Sequence, residues 1–250
     1  MALPRYPIVI IPARMNATRL PGKPMADIHG EPMIVHCWRR AMEADIGPVI
    51  VACGEKRIAD AVEAAGGRAV LTDPDHPSGS DRAHEALEAI DPTAHHDAVI
   101  NLQGDLPTIE PASVRAAFSP LLESDVDVGT IACRIDREEE RTDPNVVKAV
   151  ISLAPGARMG RALYFSRAVV PAGAGDHYHH IGLYAFRRTA ISRFARMPRG
   201  PLEQREGLEQ LRALEAGMRI DATLVDTVPL GVDTPADLDL ARTMMAERLH

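Results

Sequence analysis

Cysteine is scarce in this chain. Cys37, Cys53 and Cys133 are its only three in 250 residues, far apart and without a C-x-x-C pair, which argues against a disulfide framework or a cysteine zinc site. A reducing cytoplasm fits that usage. Basic excess is missing as well: 28 Lys and Arg against 35 Asp and Glu give a formal net charge of −7. A nucleic-acid binder needs a basic face for phosphate contacts, so that class is disfavoured. An anionic ligand would have to enter a local basic pocket, aided by a divalent cation. No run approaches the ~18 apolar residues of a membrane span, and Met1–Pro7 lacks the apolar core of a signal peptide. A soluble intracellular protein with neither nucleic acid nor membrane as partner is therefore expected. The common nucleotide fingerprints are absent too: no G-x-G-x-x-G follows the first strand, and no G-x-x-x-x-G-K-[ST] occurs. Nor is there a recognisable Ser-His or Cys-His nucleophile arrangement.

What is present begins with Ile8-Val9-Ile10-Ile11-Pro12-Ala13-Arg14. Four apolar residues, all β-branched, read as a strand buried on both faces. Pro12, which cannot donate to a ladder, is expected to end it. A long polar loop follows, carrying Arg14, Arg19 and Lys23 with Gly22 inside it. Loops in compact domains run to roughly 4–6 residues, and longer ones are usually functional. A basic, glycine-containing loop at the carboxyl end of a central strand suits a triphosphate, since backbone amides can approach the oxygens and the cations offset their charge.

The first half alternates strands with helices. Helices are expected over 32–44, 56–65 and 81–90, and strands over 48–52, 68–71 and 97–101. This pattern implies a mostly parallel sheet with ligands beyond the carboxyl ends of its strands. From about Asp125 the pattern changes to longer strands over 126–135, 146–153 and 178–186, which could add antiparallel strands, form a lid or pair with a second subunit. Helices over 206–216 and 235–249 close the chain.

Several constellations carry chemistry. The strand before Asn101-Leu102-Gln103-Gly104-Asp105 places Asp105 where a carboxylate can hold Mg²⁺ against a phosphate. In Gly231-Val232-Asp233-Thr234-Pro235-Ala236-Asp237, capping of the last helix accounts for Thr234, Pro235 and Asp237 and leaves Asp233 free for metal. Ser78-Gly79-Ser80-Asp81-Arg82 offers small residues against which a flat base can lie, with a helix cap at Ser80 as the compatible plainer reading. Alternation in Tyr178–Tyr184 puts His180, Gly182 and Tyr184 on one polar face suited to a sugar. His179 and His180 point oppositely, which speaks against a shared zinc site with His177.

Together these segments resemble the 3-deoxy-manno-octulosonate (Kdo) cytidylyltransferases. The matching stretches include Ile10–Arg14, Thr18–Pro24, Ser78–Arg82, Gln103–Asp105, Asn145–Lys148, Tyr164–Ala168, His180–Tyr184, Pro201–Glu203, Leu208–Arg212 and Gly231–Pro235, in family order over nearly the whole chain. The resemblance implies an α/β, nucleotidyltransferase-type three-layer fold with a mostly parallel sheet, as a single domain over 1–250. Within it, roughly 125–215 would supply a sugar-binding and dimerisation subdomain. It implies a Mg²⁺-dependent reaction of CTP with Kdo, giving CMP-Kdo and pyrophosphate for lipopolysaccharide biosynthesis, in a cytoplasmic homodimer. Carried onto matching positions, Arg14, Lys23, Asp105 and Asp233 would be catalytic, with Asp105 and Asp233 as metal ligands. Ala13, Arg14, Lys23, Ser78, Gly79, Ser80, Arg82, Gln103 and Gly104 would bind the nucleotide. Gln103, Arg167, His180, Tyr184, Glu209 and Gln210 would bind the sugar acid.

Three positions depart from the family pattern. Leu106 stands where many relatives carry Glu, Cys53-Gly54 replaces a common Thr-Asp pair, and His179 takes a place often held by Arg. The last bears on the sugar side and leaves a modified Kdo, such as an amino analogue, open as substrate. Rival readings are a sialic-acid or methylerythritol-phosphate cytidylyltransferase, a glycosyltransferase using Asp73-Pro74-Asp75 or Asp125-Val126-Asp127 as its D-x-D motif, and a non-catalytic nucleotide sensor.

Overall fold

The computed structural model describes residues 2–16, 19–123 and 125–247. Thr18 of the basic loop and the last two positions of the expected closing helix lie outside them. The chain divides into two compact units, one built from Arg5–Val114 with Pro229–His250, the other from Met1–Pro4 with Arg115–Val228.

In the first unit, β1 (Pro7–Ala13) is buried along all but its first residue. A two-residue hairpin, β2 (Asp27–Ile28) and β3 (Glu31–Pro32), precedes α1 (Met33–Glu43). Then come β4 (Val49–Cys53), α2 (Lys56–Ala64), β5 (Arg68–Leu71), α3 (Gly79–Ile90) and β6 (Ala98–Asn101). The strands lie side by side as β5-β4-β1-β6, every pair parallel. Helical crossovers between buried β-branched strands produce this order. The expected parallel sheet is therefore present here.

Pro12 does not end β1. It pairs with Ala52 of β4, while the pairing with β6 stops at Ile10 opposite Asn101. Ile10 faces β6, its carbonyl accepting from Leu102 N–H at 3.1 Å. Two residues on, Pro12 faces the same side beyond the end of β6, where no ladder donor is required. The missing N–H therefore costs nothing, and the strand runs on to deliver Ala13 and Arg14.

The second unit is mixed, and here the expectation of a mostly parallel sheet fails. After α4 (Pro111–Phe118), which leads into it, come β7 (Val128–Arg134), α5 (Glu138–Thr142), β8 (Lys148–Ser152), β9 (Met159–Ser166) and β10 (Tyr178–Arg187). Three helices follow, α6 (Arg188–Arg196), α7 (Pro201–Glu206) and α8 (Gln210–Glu215), before β11 (Ile220–Val225). The order is β10-β7-β11-β9-β8, and β10 also pairs with β8 through Tyr178 and His179. The pairings β10–β7, β11–β9, β8–β9 and β10–β8 are antiparallel, and β7 and β11 run parallel. Strands joined by short connections, as β8 and β9 are, can pair only antiparallel.

The helix expected over 206–216 begins only at Gln210, as α8, because α7 ends at Glu206 and the chain turns at Gly207 in a left-handed conformation. Glu203 of α7 then reaches back to Arg212 of α8 in a buried bidentate pair, at 2.7 and 2.8 Å. The closing helix, α9 (Pro235–Glu247), returns to the first unit and packs Leu238 and Ala241 on Ile28, Met33 and Cys37. Among the described residues no helix is long and apolar enough to cross a membrane.

Candidate active site

The carboxyl ends of β1 and β6, the start of α3 and the approach to α9 surround a cleft of about 310 Å³ in the first unit. Its floor depends on the basic loop. Glu55 accepts the Met15 N–H with both carboxylate oxygens, at 3.2 Å each, and Gly22 N–H returns to Met15 carbonyl at 3.2 Å. Gly22 takes φ 72°, a left-handed conformation that glycine adopts without strain. A tight turn over Lys23–Met25 with buried Pro24 then fixes the backbone of Lys23.

Lys23 joins the two acidic candidates. Its Nζ donates to Asp105 Oδ2 at 2.6 Å and to Asp233 Oδ1 at 3.0 Å. Arg19 takes the other oxygen of Asp233 at 2.8 Å. Burial alone would lower the lysine pKa, but the Asp105 carboxylate and then Asp233 hold it above its ordinary value. A backbone bond from Val232 N–H to Asp105 carbonyl, 2.9 Å, ties the two acidic segments together. Asp237 accepts from the backbone N–H groups of Asp233 and Thr234 at 3.0 and 2.8 Å, and Thr234 Oγ1 accepts from Asp237 N–H at 3.3 Å. This reciprocal cap uses Thr234 and Asp237 and leaves the Asp233 side chain facing the cleft, in line with the capping argument from sequence.

Ala13, Arg14, Ser78, Gly79, Arg82, Gln103 and Gly104 line the same cleft. The helix cap is Ser78, not Ser80: α3 starts two residues earlier than expected, and Ser78 Oγ accepts from Asp81 N–H at 3.2 Å. Ser80 is buried and accepts from Asn101 Nδ2 at 3.1 Å. Sequence reasoning passed over Asn101; a buried polar residue closing an otherwise apolar strand was the available signal. Arg82 is buried, and burial lowers its pKa. It donates to Thr72 Oγ1 at 2.5 Å and Pro74 carbonyl at 3.1 Å, bracing the segment opposite the loop. A Cβ on Gly54 would stand 3.0 Å from Pro74 Cα and 3.3 Å from the Arg82 guanidinium, so the absence of a side chain at that departing position suits this packing.

The residues assigned to the sugar side other than Gln103 belong to the second unit. His180 and Tyr184 do share a face, with ring centroids 5.5 Å apart, because the bulge in β10 between Ile181 and Tyr184 preserves the alternation. That face is packed at His180, which is 6% exposed with its ring tilted against Phe165, the centroids 4.6 Å apart. Its Nδ1 accepts from Gln210 Nε2 at 3.3 Å, and its Nε2 lies 3.1 Å from Thr130 Oγ1, which donates to Leu183 carbonyl at 2.9 Å. This chain assigns the proton of the neutral ring to Nε2. Burial pushes the His180 pKa down to about 3. Tyr184, Glu209 and Gln210 border a cavity of about 10 Å³, the size of a single water. Arg167 is exposed and stands apart from these, donating to Glu206 carbonyl at 2.8 Å and Pro144 carbonyl at 2.9 Å. His177 bonds Pro171 carbonyl at 3.1 Å, and no cluster of three or more metal-type side chains occurs among the described residues.

Residues 8–220 match the family model described as cytidylyltransferase. The chain is 66% identical over 239 residues to 3-deoxy-manno-octulosonate cytidylyltransferase of Paramagnetospirillum magneticum, covering 96% of this chain and 97% of that protein. The protein of the same name from Rhodospirillum centenum is 65% identical over 247 residues, covering 99% and 96%. A solved structure of CMP:2-keto-3-deoxy-manno-octonic acid synthetase complexed with CTP superposes with a TM-score of 0.89 at 37% identity, covering 98% of this chain and all of that one. A nucleotidyl transferase from Methanothermobacter thermautotrophicus shares the fold at 14% identity and a TM-score of 0.60, covering 97% and 99%. This chain belongs to the 3-deoxy-manno-octulosonate cytidylyltransferases, within the cytidylyltransferase family.

Proposed function

We propose that this protein transfers the cytidylyl group of CTP to Kdo, or to a close analogue, releasing pyrophosphate for lipopolysaccharide biosynthesis. One observation carries this reading: Asp105 and Asp233, far apart in sequence, converge with Lys23 in a cleft bordered by Arg14 and Arg19. In the reaction, the anomeric oxygen forms a bond to the α-phosphorus as the bond to pyrophosphate breaks, and the hydroxyl proton leaves to water. Such a displacement needs alignment and charge stabilisation more than a protein nucleophile. Arg14 and Lys23 neutralise the triphosphate and the departing pyrophosphate. The Ser78–Arg82 segment and Gln103–Gly104 receive the nucleotide, with Gly79 and Gly104 letting it lie against backbone.

The donor set fits Mg²⁺. Asp105 and Asp233 present hard oxygens to one point, and with no third acidic or imidazole group clustered there among the described residues the remaining ligands would come from phosphate and water, as this ion prefers. When bound, it supplies charge neutralisation at the triphosphate and acidifies the attacking hydroxyl. Gln103, Arg167, His180, Tyr184, Glu209 and Gln210 serve the sugar acid, either by contact or, for the packed His180, by fixing its neighbours. The region 125–215 acts as the sugar-binding and dimerisation subdomain of a single-domain cytoplasmic enzyme that works as a homodimer. The test is pyrophosphate release with Mg²⁺ across the four nucleoside triphosphates and a panel of sugar acids that includes amino-substituted Kdo. CTP-dependent release with Kdo or its analogue supports the reading; release with UTP alone, or with no acid in the panel, overturns it.

A further inference from the structure

We propose that Lys23 is an internal counter-ion that excludes divalent cations from the Asp105–Asp233 pair until a nucleoside triphosphate draws its ammonium away. The inference rests on the reading above that this pair holds the metal, and concerns the order in which the site fills. Lys23 Nζ donates to one oxygen of each carboxylate, Asp105 Oδ2 at 2.6 Å and Asp233 Oδ1 at 3.0 Å, and so stands between the two. Arg19 holds the remaining Asp233 oxygen at 2.8 Å. A cation bridging the pair would have to take the position the ammonium occupies.

The lysine is suited to an exchange of partners. Its backbone is pinned by the Gly22 turn and buried Pro24, so only the four-carbon stem can move. Its side chain is 16% exposed, against 29% and 44% for the two carboxylates, so it is the most sheltered of the three groups. Arg14, by contrast, approaches His76 carbonyl at 3.5 Å and is exposed. A triphosphate entering the cleft meets Arg14 first, then competes with the carboxylates for Lys23 through more and stronger acceptors. Once the ammonium turns to phosphate, both carboxylates are released to a cation that also coordinates phosphate. Nucleotide and metal thereby enhance each other's binding, and linkage requires the enhancement to be reciprocal.

The test titrates Mn²⁺ into the protein, with and without CTP, following free Mn²⁺ by electron paramagnetic resonance. Wild type is compared with Lys23→Met, Lys23→Gln, Lys23→Arg and Lys23→Met/Asp105→Asn; the double variant with CTP records the metal that nucleotide chelates unaided. Without CTP, Lys23→Met and Lys23→Gln should each bind one Mn²⁺ about tenfold more tightly than wild type, within the usual range of coupling between sites. Lys23→Arg should stay close to wild type, and the double variant should lose the gain. CTP should raise Mn²⁺ affinity more in wild type than in Lys23→Met. Equal Mn²⁺ affinity of wild type and both neutral variants without CTP, together with Asp105-dependent binding when CTP is present, overturns the counter-ion role and leaves the metal pair standing. Absence of Asp105-dependent binding in every protein, CTP included, overturns the metal assignment itself, and the inference with it.

Discussion

Protonation of His180 offers a direct measure of how tightly the second unit is packed. The ring sits in a one-directional relay: Gln210 Nε2 donates to Nδ1, Nε2 donates to Thr130 Oγ1, and Thr130 donates to Leu183 carbonyl. A proton added at Nδ1 would face an amide donor across 3.3 Å, in a site closed by Phe165 and Tyr184. Burial accordingly lowers the pKa from an ordinary 6.5 to about 3. The sign follows from linkage. Between those values the unfolded chain takes up a proton that the folded one refuses, so this residue's contribution is full above pH 6.5 and is lost as pH falls towards 3. From pH 7 to pH 5 the loss attributable to His180 is about 2 kcal/mol. His180→Phe removes the titration and strands the Gln210 amide, costing about 1–3 kcal/mol at pH 7. Urea unfolding of both proteins at pH 7 and pH 5 separates the two effects, since all other groups titrate alike. The wild-type curve should fall towards that of the variant by about 2 kcal/mol on acidification. Parallel curves would mean that His180 titrates normally and that the relay does not exist in solution.

Three further perturbations test the first unit and its neighbour. Asp105→Asn should lower pyrophosphate release by about 10³-fold, on the scale of losing one charge-stabilising group. Its melting temperature should barely move, because a partly exposed ion pair contributes about 0–1 kcal/mol; retained turnover would remove Asp105 from the chemistry. Glu203→Gln leaves Arg212 buried without its charge partner, the pair being 3% and 8% exposed, and should cost about 3–5 kcal/mol in urea unfolding. A loss below 1 kcal/mol would show that the pair does not hold α7 to α8. Gly104→Ala would place a Cβ 2.8 Å from Pro12 carbonyl, pushing apart the strand ends that floor the cleft. Calorimetric CTP affinity should fall about tenfold, equivalent to about 1.4 kcal/mol, and an unchanged affinity would mean that the backbone gives way freely.

Local pattern made some of this architecture readable and left the rest dark, for identifiable reasons. The parallel strands of the first unit are short β-branched runs between amphipathic helices, and each carries its own signal, so β4, β5 and β6 fall within a residue or two of their expected limits. Pro12 was misjudged because a residue's donor matters only on the side where a partner strand exists, and the length of β6 is not written near β1. In the second unit β9 sets exposed Arg161 and Leu163 around buried Ala162, but a register shift against β8 breaks the alternation before buried Phe165, and the run reads weakly. β11, Ile-Asp-Ala-Thr-Leu-Val, owes its place to parallel pairing with β7, some ninety residues distant in sequence. The break at Gly207 left no mark on the leucine stripe, because Leu208, Leu211 and Leu214 all lie beyond it.

The candidate site divides along the same line. Asp233 stood out because Thr234 and Asp237 satisfy the helix terminus between them, so the leftover acid needed another purpose; the structure gives it Lys23 and Arg19. His180 misled because alternation tells which side chains share a face, not whether that face meets water. A strand packed on both sides looks the same in sequence as one with a polar, open face whenever its buried polar groups satisfy one another. Asn101 and Ser80, Thr130 and His180, Glu203 and Arg212 are such pairs, and none is local. Sequence chemistry therefore identifies a charged residue most securely when local capping has no use for it. It identifies a buried polar residue least securely, because the partner that neutralises its cost lies anywhere in the fold. By that criterion Asp105 and Asp233 are read from charge that local capping leaves over, His180 from alternation alone, and the His180→Phe titration measures the packing on which that difference turns.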